Sequence, residues 1–234
     1  MSIETMSPIE TRLRAMLAQK YVGVVRVNTS ERALKGARAL ILAGFRMVEI
    51  TLTIPGALDI IKELAAEVSQ GAMVGAGATI GAGVMIGAGT VMNAPDARRC
   101  IENGAQFIVS PICEIDIIRP CRDAGVVVIP AGMTPTEIVH AWRMGAHVVK
   151  VYPAGSVGGP EYIRAIRGPL PEIPLWVSGM VSARQASEYV KAGVQLVGLG
   201  MELLPPVMME VNDWEAITQH AQRLLFQARG EVAV

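Results

Sequence analysis

Eight short apolar β-like runs alternate with helical runs, the connections between them are a few residues long, and no Pro/Ser-rich linker interrupts the series. These observations predict an α/β chain folded as one (β/α)8 (TIM) barrel spanning residues 1–234, preceded by an extra N-terminal helix. An open doubly wound sheet has the same local pattern, but no G-x-G-x-x-G stands between the first strand and the helix after it.

The elements follow in order. Ile9, Leu13, Met16 and Leu17 recur at helical spacing and predict an amphipathic helix over residues 8–19, within an N-terminal segment 1–20. Residues 21–27 read as the first strand, with Arg26 near its C-terminal end. Ser30 is placed to cap the next helix, which carries Ala33, Leu34, Ala37, Leu40 and Ile41 and stops at Gly44. Strand 47–52 follows, and Pro55-Gly56 opens a helix with Leu58, Ile61, Leu64 and Val68 on one face. After a glycine-rich stretch the alternation resumes with a helix to about Asn103, strand 107–110, helix 115–123 and strand 126–130. Thr134-Pro135-Thr136-Glu137 has the form of a capping box with Pro at the first helical position, so a helix should run on to Met144. Strand 148–152, a short helix near 162–166 and strand 175–178 come next. A helix capped by Ser182, strand 196–199 and a C-terminal helix over 213–229 complete the series.

The glycine-rich stretch holds three near-copies of a hexapeptide, at 75–80, 81–86 and 87–92. A period of six marks the hexapeptide β-helix, yet three copies make about one coil, which has no neighbours to stack on. A tandem expansion at strand 3 accounts for it better. If the last copy forms the strand, the surplus lies at the barrel end opposite the chemistry. Residues 69–95 also carry no charge and contain G-x-x-x-G spacings, but their glycines disfavour a membrane helix.

Hydrophobic residues make up 51% of the chain and charged ones 18%, with 21 Lys+Arg against 21 Asp+Glu, so no nucleic-acid footprint is present. Cys100, Cys113 and Cys121 form an odd set without C-x-x-C and point to reduced thiols. With no basic n-region and apolar core at the N-terminus, a cytoplasmic location is expected.

The chemical question is posed by H-V-V-K-V-Y-P-A-G at 147–155, where Lys150 stands inside an apolar β-branched run. Alternation puts Val148, Lys150 and Tyr152 on one side. An ammonium taken out of water lowers its pKa, finds a carboxylate or reaches a wet mouth; with a lowered pKa it is a nucleophile toward carbonyls. Glu49 is placed similarly in V-E-I-T-L, with Met47 and Thr51 on its face and Val48 and Ile50 opposite. An amine and a carboxylate converging on a barrel mouth supply a Schiff-base nucleophile and a proton shuttle. The alternative is a buried salt bridge. His140, His147 and His220 form no metal-binding motif, and chemistry through a Schiff-base lysine requires no metal or organic cofactor, so none is expected.

Taken together, V-E-I-T-L-x-x-P (48–55), G-A-G-T-V (87–91), I-V-S-P (108–111), I-P-A-G-M-T-P-T-E (129–137) and K-V-Y-P-A (150–154) resemble the class I aldolases acting on 2-keto-3-deoxy-6-phosphogluconate, its galactonate analogue or 4-hydroxy-2-oxoglutarate. The resemblance covers residues 22–204 and implies catalytic roles for Lys150, as the Schiff-base lysine, and Glu49, as the proton carrier. It implies that Thr90 holds the pyruvate carboxylate, that Pro111 lies beside the pyruvyl group and that Arg26 meets the distal anion. Tyr152, on the lysine's face, and Ser178 with Gly179, where the family binds phosphate, complete the expected substrate-binding set. A small-molecule 2-keto acid substrate and a homotrimer are likewise implied.

Three departures touch substrate choice. Thr53 stands where gluconate-type members carry an arginine. Gly179-Met180 and Met201 replace a Gly-Gly pair and a serine that serve the phosphate, and the repeat adds about two hexapeptides near strand 3. The alternatives are an aldolase restricted to non-phosphorylated 2-keto-4-hydroxy acids and a non-catalytic barrel that keeps Lys150 and Glu49 as an ion pair.

Overall fold

The computed structural model describes residues 6–71, 73, 74, 78, 79 and 83–231. Eight parallel strands are present: β1 (Tyr21–Val25), β2 (Met47–Thr51), β3 (Met85–Gly89), β4 (Phe107–Val109), β5 (Val127–Ile129), β6 (Val149–Val151), β7 (Leu175–Val177) and β8 (Leu196–Leu199). They pair in the order β5-β4-β3-β2-β1-β8-β7-β6. A parallel bridge between Ala131 and Lys150 brings the two ends of that order together and closes the barrel. The amide of Lys150 donates to the Pro130 carbonyl at 2.8 Å, and that of Gly132 to the Lys150 carbonyl at 2.9 Å. Closure therefore runs through the lysine's own backbone. The expected TIM barrel is the observed fold.

Two apolar layers sort the side chains as strand alternation requires. Val48, Ile50, Val128, Val149 and Val151 pack outward against the helices. Val22, Met47, Met85, Phe107, Val148, Trp176 and Leu196 fill the interior. Burying each such side chain contributes about 1.5–3 kcal/mol. Three inward glycines make the interior fit. A Cβ at Gly87 would lie 2.2 Å from the Phe107 ring, one at Gly198 would lie 2.9 Å from the Trp176 indole nitrogen, and one at Gly89 would collide with Glu49.

Helix α1 (Pro8–Gln19) begins at a capping box in which the Ser7 amide donates to Glu10 Oε2 at 2.7 Å. Its Met16 is fully buried in the interior cluster with Ile9, Leu13 and Leu17 alongside, so α1 stops the N-terminal end of the barrel. The outer helices are α2 (Ser30–Leu42), α3 (Ala57–Gln70), α4 (Ala94–Glu102), α5 (Ile115–Asp123), α6 (Pro135–Arg143), α7 (Gly159–Arg167), α8 (Ala183–Lys191), α9 (Pro206–Glu210) and α10 (Trp214–Arg229). The short α9 is not foreshadowed by the sequence pattern.

Two caps differ from expectation. Thr29, not Ser30, caps α2, accepting from the Arg32 amide at 3.3 Å. The Ser30 hydroxyl instead donates to the Pro55 carbonyl at 2.6 Å and ties the start of α2 to the loop before α3. Ser182 occupies the N-cap position of α8 but makes no cap hydrogen bond; its Oγ lies 3.2 Å from Gln185 Oε1.

Strand β3 takes Met85 and Ile86 from the second hexapeptide and Gly87 to Gly89 from the third. Between α3 and β3 in the chain, Met73–Val74 and Ala78–Thr79 pair as a small antiparallel hairpin. Residues 75–77 and 80–82, which carry much of the first two copies, lie outside the described residues. Among the described residues no helix is long and apolar enough to cross a membrane.

Candidate active site

The C-terminal strand ends bring most of the expected residues to one mouth. Glu49 comes from the middle of β2 and Lys150 from the middle of β6, and they are only 1% and 6% exposed. Both belong to the short set of buried polar side chains, with Thr51, Ser110 and Ser178. Among the described residues no ion pair within 4.0 Å joins Lys150 to Glu49, and Glu49 Oε2 has no hydrogen-bond partner. A salt bridge of structural type is therefore not what the two side chains form. Lys150 Nζ stands 4.9 Å from the centre of the Tyr152 ring, which partly covers it.

Burial sets the protonation of the pair. It pushes the Glu49 carboxyl above its ordinary value, against the opposing pull of Lys150 and Arg26. It pulls the Lys150 amine below its ordinary value, with Arg26 adding to the effect and Glu49 opposing it. Both shifts favour neutral forms. An amine pushed toward its neutral form, sharing the mouth with a carboxyl pushed toward its protonated form, is an arrangement that suits nucleophilic carbonyl chemistry.

Arg26, just beyond β1, organises the polar side of the mouth. One Nη donates to Thr90 Oγ1 at 2.9 Å and the other to Thr53 Oγ1 at 3.4 Å. Thr53 Oγ1 in turn lies 3.0 Å from Thr51 Oγ1, which donates to the Val25 carbonyl. Thr90, the first residue after β3, has a φ of 57°. A β-branched residue in the left-handed region costs about 1–3 kcal/mol and occurs where surrounding structure holds a functional side chain in place.

Gly179, with φ 79°, follows β7 and packs on Tyr152: a Cβ there would lie 2.8 Å from the tyrosine ring. Its carbonyl accepts from the Gly155 amide at 3.0 Å, and the Ser178 carbonyl accepts from Ala154 at 2.9 Å, so the loops after β6 and β7 are bonded together. Among the described residues the buried Ser178 hydroxyl has no hydrogen-bond partner. Its Cβ lies close to the inward position of Gly198, which places it on the interior side of the barrel. Pro111 sits farther round. With Ile112, Gly132, Glu137, His140 and Tyr152 it lines a side cavity of about 390 Å³, so Tyr152 is its link to the lysine. A larger cavity of about 660 Å³ lies outside the barrel, lined by Arg98, Asp116 and Arg119 from α4 and α5, and holds none of the candidate residues.

His147 is structural: its Nδ1 accepts from the Val128 amide at 3.1 Å. Two functional contributions escaped sequence reasoning. Gly89 provides the room that Glu49 occupies, its would-be Cβ lying 1.8 Å from Glu49 Oε1; a glycine inside a strand is the available signal for such close approach. Thr53 joins the Arg26 network, so the position that departs from the gluconate-type pattern is not idle.

The family model for KDPG and KHG aldolases matches residues 9–220. A 2-dehydro-3-deoxy-phosphogluconate aldolase of Pseudoalteromonas atlantica is 32% identical over 210 residues, which cover 89% of this chain and 91% of the relative. A probable 2-dehydro-3-deoxy-6-phosphogalactonate aldolase of Rhizobium meliloti is 34% identical over 193 residues, covering 82% and 85% respectively. The solved structure described as native KDPGal superposes with a TM-score of 0.76 at 27% identity and 98% coverage of both chains. The chain belongs to the KDPG and KHG aldolase family of carbon–carbon lyases.

Proposed function

We propose that this chain is a Schiff-base aldolase that cleaves a 2-keto-4-hydroxy acid to pyruvate and an aldehyde. The neutral Lys150 amine attacks the C2 ketone, and the carbinolamine loses water to give an iminium. Glu49 takes the C4 hydroxyl proton as the C3–C4 bond breaks; its electron pair moves into the iminium, leaving an enamine and the free aldehyde. Glu49 returns the proton to C3, and water hydrolyses the resulting iminium to pyruvate and free Lys150. Arg26 and Thr90 hold the anionic part of the substrate, while Pro111, Tyr152, Ser178 and Gly179 shape the space around it. The proposal includes a cytoplasmic homotrimer, the assembly that the family resemblance implies.

One observation supports this function above all: a buried lysine and a buried carboxyl share the barrel mouth without pairing, each shifted toward its neutral form. Borohydride reduction in the presence of pyruvate should leave one N-(1-carboxyethyl) adduct, located on Lys150, and Lys150→Met should abolish both adduct and turnover. Activity surviving in Lys150→Met, with no adduct on the parent enzyme, would refute the mechanism.

A further inference from the structure

We infer that the distal end of the substrate, the part that leaves as the aldehyde, is uncharged, and that the loops after β7 and β8 select against a phosphate there. This rests on the Schiff-base function proposed above. Three observations on those loops lead to it.

Met180 and Met201 stand on the two adjacent loops and are 74% and 80% exposed. Isolated exposed apolar side chains are ordinary, but two on neighbouring loops of the catalytic face form an apolar rim. Methionine is flexible and polarisable, suited to lie against an apolar or neutral chain of variable shape. Met180 is held there by its backbone, with φ 56° and its carbonyl packed against Gly155, whose added Cβ would lie 2.2 Å from that oxygen.

The N-terminus of α8 opens at the same rim, because α8 follows β7 by five residues. An exposed helix N-terminus attracts anions. Here an internal carboxylate has taken the position: the Ala183 amide donates to Glu202 Oε1. The Glu202 backbone is itself fixed, its carbonyl 2.8 Å from His220 Nε2. A phosphate approaching α8 meets a donor already in use and an acidic side chain beside it.

Cations are also missing from these loops. Residues 178–182 and 200–212 contain no Lys, Arg or His, and the first basic residue after β7 is Arg184, exposed within α8. Arg26 lies at the end of β1 and is engaged with Thr53 and Thr90. The apolar rim, the α8 amide taken by Glu202 and the two loops without cations agree on a neutral tail.

The test is the aldol addition of pyruvate to D-glyceraldehyde 3-phosphate, to glyoxylate and to D-glyceraldehyde, the last differing from the first only by its phosphate. We expect kcat/KM for D-glyceraldehyde to exceed that for either charged acceptor by at least about tenfold. A charged acceptor that outperforms D-glyceraldehyde overturns the inference. Glu202→Gln should raise the phosphorylated-to-neutral ratio several-fold, and an unchanged ratio in folded Glu202→Gln removes the role assigned to that carboxylate. Pyruvate trapping on Lys150 separates the two levels. A Lys150 adduct with a preference for the phosphorylated acceptor refutes the neutral tail alone, whereas no adduct and no addition to any acceptor refutes the aldolase function and the neutral tail with it.

Discussion

Glu49 reaches its place because residue 89, diagonally opposite on the neighbouring strand, has no side chain. The registers Glu49 to Gly87 and Thr51 to Gly89 fix that diagonal. A methyl group at position 89 would fall 1.8 Å from Glu49 Oε1 and 2.4 Å from Cδ, so the carboxyl must leave its niche or the strands must part. Overpacking of this kind costs about 1–3 kcal/mol. The larger effect belongs to chemistry: a displaced proton carrier forfeits roughly 10²–10⁴-fold in rate. Gly89→Ala should therefore lower kcat for cleavage within that range while borohydride still traps pyruvate on Lys150, since the amine itself is untouched. Full kcat in Gly89→Ala would show that the niche does not position the carboxyl.

Helix α6 begins directly after the segment whose carbonyls and amides close the barrel beside Lys150, so its first turn bears on the mouth. Its capping box is complete. Thr134 Oγ1 accepts from the Glu137 amide at 3.3 Å, and Glu137 Oε2 accepts from the Thr134 and Met133 amides at 2.8 and 2.9 Å. Thr134→Ala removes one half of the box and should cost about 1 kcal/mol, read as a lower urea midpoint with an unchanged slope; an unaltered midpoint would assign the helix start to Pro135 and packing alone. This box was legible in T-P-T-E because every participant lies within four residues. Lys150 and Glu49 were legible for a similar reason, as single titratable groups inside apolar runs whose alternation settles their face. The Glu202 contact was not, because its donor, Ala183, opens α8, nineteen residues earlier in the chain, and nothing local marks the pairing. Thr29 displaced Ser30 as a cap because Ser30 answers a carbonyl at residue 55, again a tertiary demand. In the repeat, glycine at the first and third position of each hexapeptide interrupts the apolar alternation that would have located β3, and only the register with β2 fixes it.

Across the whole molecule, the groups that do the chemistry oppose the packing that holds the fold. The barrel interior is filled by Val, Met, Phe, Trp and Leu below the mouth, and Lys150 and Glu49 extend the same buried interior with ionisable groups that prefer water. The sign of each contribution follows from its shift. Glu49 titrates higher when folded than its ordinary 4.5, so it destabilises the fold as pH rises through 4.5 toward its folded value, and the cost stays constant above that. Lys150 titrates lower when folded than its ordinary 10.5, so its cost is complete below the folded value and fades as pH rises toward 10.5. Both costs coexist only at intermediate pH. Replacing both groups together avoids stranding one charge, and such replacements are typically neutral or stabilising by about 1–4 kcal/mol. The double variant Lys150→Met/Glu49→Leu, apolar at both positions, should therefore be inactive yet more stable than the parent near pH 7, by a margin within that range. Urea unfolding of both proteins across the pH scale should show the margin narrowing on the acid side, where only the Lys150 cost persists, and on the alkaline side, where only that of Glu49 persists. A margin independent of pH would mean that neither group changes its protonation equilibrium on folding, and a less stable double variant would mean that the pair contributes to the fold rather than burdening it.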